Sequence, residues 1–89
     1  MSNKWDAKIL KMVVPIEAWG FCYEKISRYN TCKIIKSTTF PSEKIVFIHL
    51  AFRPIADEAF IARMVDKIDN WAEGKLYVVR FCTQEVETW

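Results

Sequence analysis

The chain has 89 residues, of which 52% are hydrophobic and 15% aromatic, and its formal net charge is +2. A chain of this length forms one domain, residues 1–89, with a single two-layer core. The net charge is too small to predict a general affinity for nucleic acid. The charge is uneven, however: residues 1–53 carry nine Lys or Arg against four Asp or Glu, and residues 54–89 carry four against seven. The first half would therefore attract an anionic partner.

Several classes of site and location are disfavoured by the residue pattern. The chain has an odd number of cysteines, Cys22, Cys32 and Cys82, and their spacing is not that of metal ligands. This pattern predicts reduced thiols in a cytoplasmic protein and no bound metal. No apolar stretch reaches the roughly 20 residues that cross a bilayer, and no signal segment is found, so we expect no membrane contact. Paired carboxylates and phosphate-binding glycines are missing, so no cofactor is expected.

The first strand is predicted over residues 5–14, and its pattern changes phase. Apolar side chains stand at odd positions up to Ile9 and at even positions from Leu10 onward. A bulge near Ile9 and Leu10 would reconcile the two halves, because one extra residue reverses the facing of all later side chains. The alternative is a strand that is apolar on both faces.

Pro15 opens the first predicted helix, since proline is favoured at the first helical position. Gly20 lies within this helix, and we interpret it as a point of close packing against the sheet. Asn30 is expected to end the helix in a left-handed conformation. One apolar stripe at helical spacing would face the core: Ile16, Trp19, Cys22, Tyr23, Ile26 and Tyr29.

A β-hairpin follows, with strands over 31–40 and 44–53 joined by a turn at 41–43. The second of these strands is apolar on both faces, which is typical of a central strand that is covered on both sides. The register is open by one residue. We favour the register that places Lys36 beside Phe47 and His49, because the other would direct its charge toward the helices.

The second helix is predicted from Ala56 or Asp57 to Glu73, with Gly74 as its C-terminal cap. The last strand is predicted from Lys75 to about Thr83, and the acidic tail 84–89 would extend it or stay free. Alternation along this strand gives two opposed sets of side chains: Tyr77, Val79 and Phe81 on one face, and Leu76, Val78 and Arg80 on the other.

The predicted element order is βαββαβ, an α+β ferredoxin-like plan. Right-handed crossovers place both helices on one face of a four-stranded antiparallel sheet. The first and third strands become central, which agrees with the apolar character of 44–53.

This plan resembles that of RNA-recognition motifs, which stack bases on aromatic side chains of the two central strands. Phe47 and His49, two residues apart on the open face of the third strand, are similar to such a pair. The resemblance implies binding of single-stranded RNA. The chain departs from the family signature because residues 44–52 contain no glycine. Acylphosphatases share the plan as well, but their glycine-rich anion loop is missing after the first strand.

The predicted binding face comprises Ile45, Phe47, His49, Lys36 and Lys44. Lys36 and Lys44 would form a basic rim around the two rings. His49 is the one side chain suited to act as a general base near neutral pH, but a histidine among apolar neighbours is more often a packed residue. We therefore assign no catalytic residue.

The leading functional hypothesis is a small non-enzymatic protein-binding module. Its open sheet face or an edge strand would engage a cellular protein or a second copy in a homodimer. Frequent Lys and Ile with scarce Gly suggest an AT-rich genome, which would fit a phage- or bacteria-encoded inhibitor or regulator. The alternative is single-stranded nucleic-acid binding through the aromatic and basic residues. A third hypothesis is a small dimeric α+β barrel enzyme that uses His49.

Overall fold

A computed structural model describes residues 5–86 of the chain. Its four strands form one antiparallel sheet in the order β2-β3-β1-β4. The α+β ferredoxin-like fold is therefore confirmed, with β1 and β3 central. No helix within residues 5–86 is long and apolar enough to span a membrane. The elements are β1 (Trp5–Pro15), α1 (Ile16–Ile26), β2 (Cys32–Phe40), β3 (Ile45–Phe52), α2 (Glu58–Trp71) and β4 (Tyr77–Val86).

The main core lies between the sheet and the two helices. Alternate side chains of the central strands point into it, because successive residues of a strand face opposite sides. Phe52 of β3 is fully buried and meets the ring of Phe60 from α2 edge-on, at 6.3 Å between ring centroids. The strand residues of this core are Leu10, Met12, Val14, Cys32, Val46, Ile48, Leu50 and Phe52, and its buried helix residues are Cys22, Ile26, Ile61, Met64 and Ile68.

Strand β1 has buried apolar side chains on both faces and has no bulge against β3. Its register with β3 runs without interruption from Lys8 opposite Phe52 to Pro15 opposite Ile45. The bulge predicted near Ile9 is therefore wrong, and the alternative is confirmed. Ile9 is buried on the face away from the helices, whereas Leu10 is buried beneath them.

Helix α1 ends earlier than predicted. Ser27 is its C-cap, in a right-handed conformation, and the Ser27 hydroxyl donates a hydrogen bond of 2.7 Å to the carbonyl oxygen of Tyr23. The expectation that Asn30 is a left-handed stop is wrong, since Asn30 has no positive φ. The helix therefore ends without a left-handed residue. The predicted stripe is buried only in part, because Ile16 and Tyr23 are exposed.

Gly20 does not pack against the sheet, contrary to the prediction. It is exposed on α1, and a Cβ built at this position meets nothing within 4 Å. Gly20→Ala is expected to raise the free energy of unfolding by about 1 kcal/mol, because alanine loses less backbone entropy in a helix. Urea denaturation measures this change. Gly74→Ala is the matched control, and we expect it to lower stability because Gly74 has φ +73°.

Both ends of α2 carry capping interactions. Asp57 is the N-cap, and its carboxylate accepts a hydrogen bond of 2.7 Å from the Phe60 amide. At the C-terminus, Gly74 N–H donates to the Asp69 carbonyl at 2.8 Å, and Glu73 has φ 59°. This arrangement is a Schellman motif. Gly74 is left-handed as predicted for a cap, but Glu73 precedes it as the first left-handed residue.

Each edge strand contains one extra residue. Ile34 lies opposite Leu50 and Lys36 opposite His49, so Ile35 is the extra residue of β2. The predicted pairing of Lys36 with His49 is thereby confirmed. The connecting turn includes Lys44, whose φ is 59° and whose amide donates to the Pro41 carbonyl at 3.2 Å. Lys44 was expected to start the strand, and its left-handed conformation places it in the turn instead.

In β4, Val78 lies opposite Met12 and Arg80 opposite Lys11, so Val79 is the extra residue. The predicted division of β4 is therefore wrong, since the bulge turns Arg80 to the same face as Tyr77. The strand begins at Tyr77 and extends through Val86, while the rest of the predicted tail, 87–89, lies outside the described residues.

Candidate binding face

The face of the sheet that carries no helix is the open face. Ile45, Phe47 and His49 project from β3 onto it and are half-buried. Lys36 joins them from β2, where it is exposed. Lys44 lies in the turn beyond the strands, and its carbonyl accepts a hydrogen bond of 2.9 Å from the Ile16 amide. The structure thus brings together four of the five predicted residues and leaves Lys44 at the margin.

One basic side chain from every strand lies in a single line across the open face. Lys36 is opposite His49, His49 is opposite Lys11, and Lys11 is opposite Arg80. We call these four residues the basic row. Side chains directly opposite each other on neighbouring strands have Cβ atoms about 4.5–5.5 Å apart, so the row concentrates positive charge in a narrow band.

No acidic side chain of the four strands within residues 5–86 projects from the open face, because Asp6 and Glu85, the acidic residues of these strands, lie opposite each other on the helix-facing side. Within the same part of the chain, Lys11, Lys36 and Arg80 form no ion pair with a carboxylate. Like charges directly opposite each other destabilise a sheet. The basic row is therefore an arrangement that an anionic ligand would stabilise.

The imidazole of His49 lies between two lysines of this row. Partial burial lowers the pKa of His49 below its ordinary value of 6.5, and the positive charges of Lys11 and Lys36 lower it further. These surroundings therefore favour the neutral form of the side chain. Its ring also meets Phe47 edge-on, with 5.5 Å between centroids and 63° between planes.

A second line across the open face carries aromatic side chains. Thr38, Phe47, Val13 and Tyr77 follow one another from β2 to β4, and we call them the aromatic row. Tyr77 is 68% exposed. At the opposite edge, on β2, Phe40 lies opposite Ile45 and is 42% exposed. The basic row thus borders a surface on which planar ligands can stack.

The other end of the open face is dry. Ala7, Ile9 and Ala51 are fully buried there, with Cys82 and Val86 packed against them. Burial on both faces of β3, expected for the whole strand, therefore holds at Ala51 but not at Phe47 and His49, which are half-buried. The accessible part of the open face is the half that contains the basic and aromatic rows.

Sequence reasoning missed Lys11, Arg80 and Tyr77 as candidate site residues. Lys11 is recognisable once β1 and β3 are paired, because it then lies opposite His49. Arg80 could not be found from alternation, since the bulge at Val79 reverses its facing.

No cysteine adjoins His49. Cys32 points into the main core, where burial raises its pKa to about 11, and Cys82 lies opposite Ile9 on β1. A thiol–imidazole pair for nucleophilic catalysis is therefore not formed. Residues 5–86 also contain no group of three side chains that could hold a metal ion.

A scan against protein-family models finds no match for this chain, and a search of curated proteins finds none.

Proposed function

We propose that the protein is a non-enzymatic binding module that holds single-stranded nucleic acid on its open face. The basic row contacts phosphates, and the rings of the aromatic row stack with bases. The observation that carries this proposal is the basic row itself, in which four strands each contribute one basic side chain and no carboxylate of the strands within residues 5–86 shares the face.

The two rows lie at a separation that suits one nucleotide. Residues two apart on a strand are about 6.6 Å apart along it, because each residue advances about 3.3 Å. Phe47 and His49 have this spacing on β3. On β4 the two rows are represented by Tyr77 and Arg80, whose partners on β1 are also two residues apart. A phosphate on the basic row can therefore present its own base to the aromatic row.

Single strands fit this face better than a duplex. Stacking on Phe47 or Tyr77 requires a base whose flat face is accessible, which paired and stacked bases of a duplex do not offer. The sheet also presents no helix toward the ligand, and a helix is the element that most readily enters a major groove.

The same charges argue against a homodimer in which two open faces meet with their basic rows together. In such a dimer like charges would be juxtaposed, with no carboxylate of the strands within residues 5–86 between them. Juxtaposed like charges at an interface are strongly unfavourable. A partner that covers the basic row is therefore expected to be anionic there.

Binding of fluorescent single-stranded oligonucleotides at several salt concentrations tests the proposal. Each of Lys36→Gln, Lys11→Gln and Arg80→Gln is expected to weaken binding and to reduce the log–log salt slope by about 0.7, since each removes one phosphate contact. Phe47→Ala is expected to weaken binding by about 5- to 150-fold, equivalent to 1–3 kcal/mol of stacking.

Arg63→Gln is the matched control, because Arg63 is exposed on α2 at the other side of the sheet. It should leave both affinity and salt slope unchanged. Equal affinity in wild type and Phe47→Ala, with polyglutamate competing as well as the oligonucleotide, would overturn the proposal and indicate an acidic protein as the partner.

A second candidate function is protein association through β4. This strand is an edge of the sheet and is exposed on both faces, with Val78, Val79 and Phe81 each more than 40% accessible. Exposed apolar edge strands pair with strands of other chains, which could be a second copy or a cellular target. Light scattering tests the first case: a monomer at all concentrations, unchanged in Phe81→Lys, would exclude self-association.

A further inference from the structure

We infer that His49 takes up a proton when nucleic acid binds, so that its imidazole becomes a cation of the basic row only in the complex and affinity increases as the pH is lowered. This inference rests on the proposed function and assigns a proton-coupled role to one residue of the same face.

The charged surroundings of His49 are positive on every side from which strands approach it. Lys36 and Lys33 project from β2, Lys11 from β1, and Arg80 stands one strand further on β4. The helices lie on the opposite face and contribute no group here. Within residues 5–86 the other titratable side chains that the strands place on this face are Tyr77 and Cys82.

In the free protein these surroundings favour the neutral imidazole. Partial burial is the first cause, and the neighbouring Lys11 and Lys36 are the second and third. Bringing a further positive charge between two lysines is unfavourable in the absence of an anion. The basic row thus contains, between its two lysines, a group that can still accept a proton.

A bound phosphate changes the electrostatic surroundings of His49 so that they favour the imidazolium form. Its negative charge offsets those of Lys11 and Lys36, and it accepts a charge-assisted hydrogen bond from an imidazolium N–H. His49 therefore has a higher pKa in the complex than in the free protein. By linkage, the affinity rises as the pH falls through the interval between the two values, by at most about tenfold per pH unit for one proton.

The chain contains one histidine, so its proton resonances report on His49 without ambiguity. We expect the NMR titration of His49 to move to higher pH on saturation with oligothymidylate, whose bases do not titrate in this range. Calorimetry in two buffers of different ionisation enthalpy should show uptake of a fraction of a proton near neutral pH. His49→Gln should bind with an affinity that no longer varies between about pH 6 and 8.

The outcomes separate the two proposals. Binding by the wild type with an unshifted His49 titration, or an equal pH dependence in His49→Gln, would overturn this inference and leave the proposed function standing. If the wild type bound neither oligothymidylate nor a mixed-sequence oligonucleotide at low salt, at about pH 6 or pH 8, both the inference and the proposed function would be overturned. The NMR titration uses the wild-type protein, so the result does not depend on the folding of His49→Gln.

Discussion

Phe52→Ala is expected to lower the free energy of unfolding by about 3–5 kcal/mol, which is much of the stability of a small domain. Phe52 is fully buried at the end of β3 and packs edge-on against Phe60 of α2. Its truncation would leave a cavity where the central strand meets the second helix. Urea denaturation followed by circular dichroism measures the loss.

Phe81→Ala is the matched control for this prediction. Phe81 lies on the same side of the sheet as Phe52, opposite Leu10, but it is 49% exposed because it belongs to the edge strand β4. We expect a loss of about 1 kcal/mol, since little surface becomes a cavity. Equal losses in the two variants would contradict the description of β4 as uncovered.

Ile9→Ala is expected to destabilise the protein by about 2–5 kcal/mol, although Ile9 lies on the face without helices. The side chain is fully buried with Ala7 and Ala51, and Cys82 packs against this cluster. A position on an uncovered sheet face would lose much less. The size of the loss therefore measures how completely this end of the open face is shielded from water.

Ile35→Ala provides the comparison for Ile9. It is the same substitution in the same sheet, at the extra residue of β2, where the side chain is 38% exposed. We expect a loss of about 1 kcal/mol or less. If Ile9→Ala were as mild as Ile35→Ala, the cluster around Ile9 would not be a second core.

The features predicted correctly from sequence are those that follow from polarity alone. Residues 45–52 contain no Lys, Arg, Asp or Glu, and a strand of that kind is typical of the centre of a sheet. This preference predicted the central position of β3 and, with the element order, the ferredoxin-like fold. The cost of burying a charge likewise predicted that Lys36 pairs with His49.

The features predicted wrongly depend on geometry that polarity does not encode. A bulge is defined by the partner strand, so the extra residue at Val79 and the facing of Arg80 could not be read from alternation in β4. Gly20 shows the same limit for helices, because its sequence position does not reveal that the space beside it is open.

Part of the candidate site was therefore recognisable from sequence. The hairpin carries Phe47, His49 and Lys36. Its register was predictable from polarity. Lys11 and Arg80 come from strands that are distant in sequence, and only the pairing of β1 with both neighbours brings them into line.

The two bulges determine how the basic row would align with relatives of slightly different length. Ile35 directly precedes Lys36, and Val79 directly precedes Arg80, so each extra residue stands immediately before a cation at the edge of the sheet. Because a bulge residue has no partner, its deletion would restore regular pairing and keep the following cation opposite the same neighbour. A relative one residue shorter at either point could therefore preserve the charge pattern, and an alignment gap at these positions would not imply a lost site.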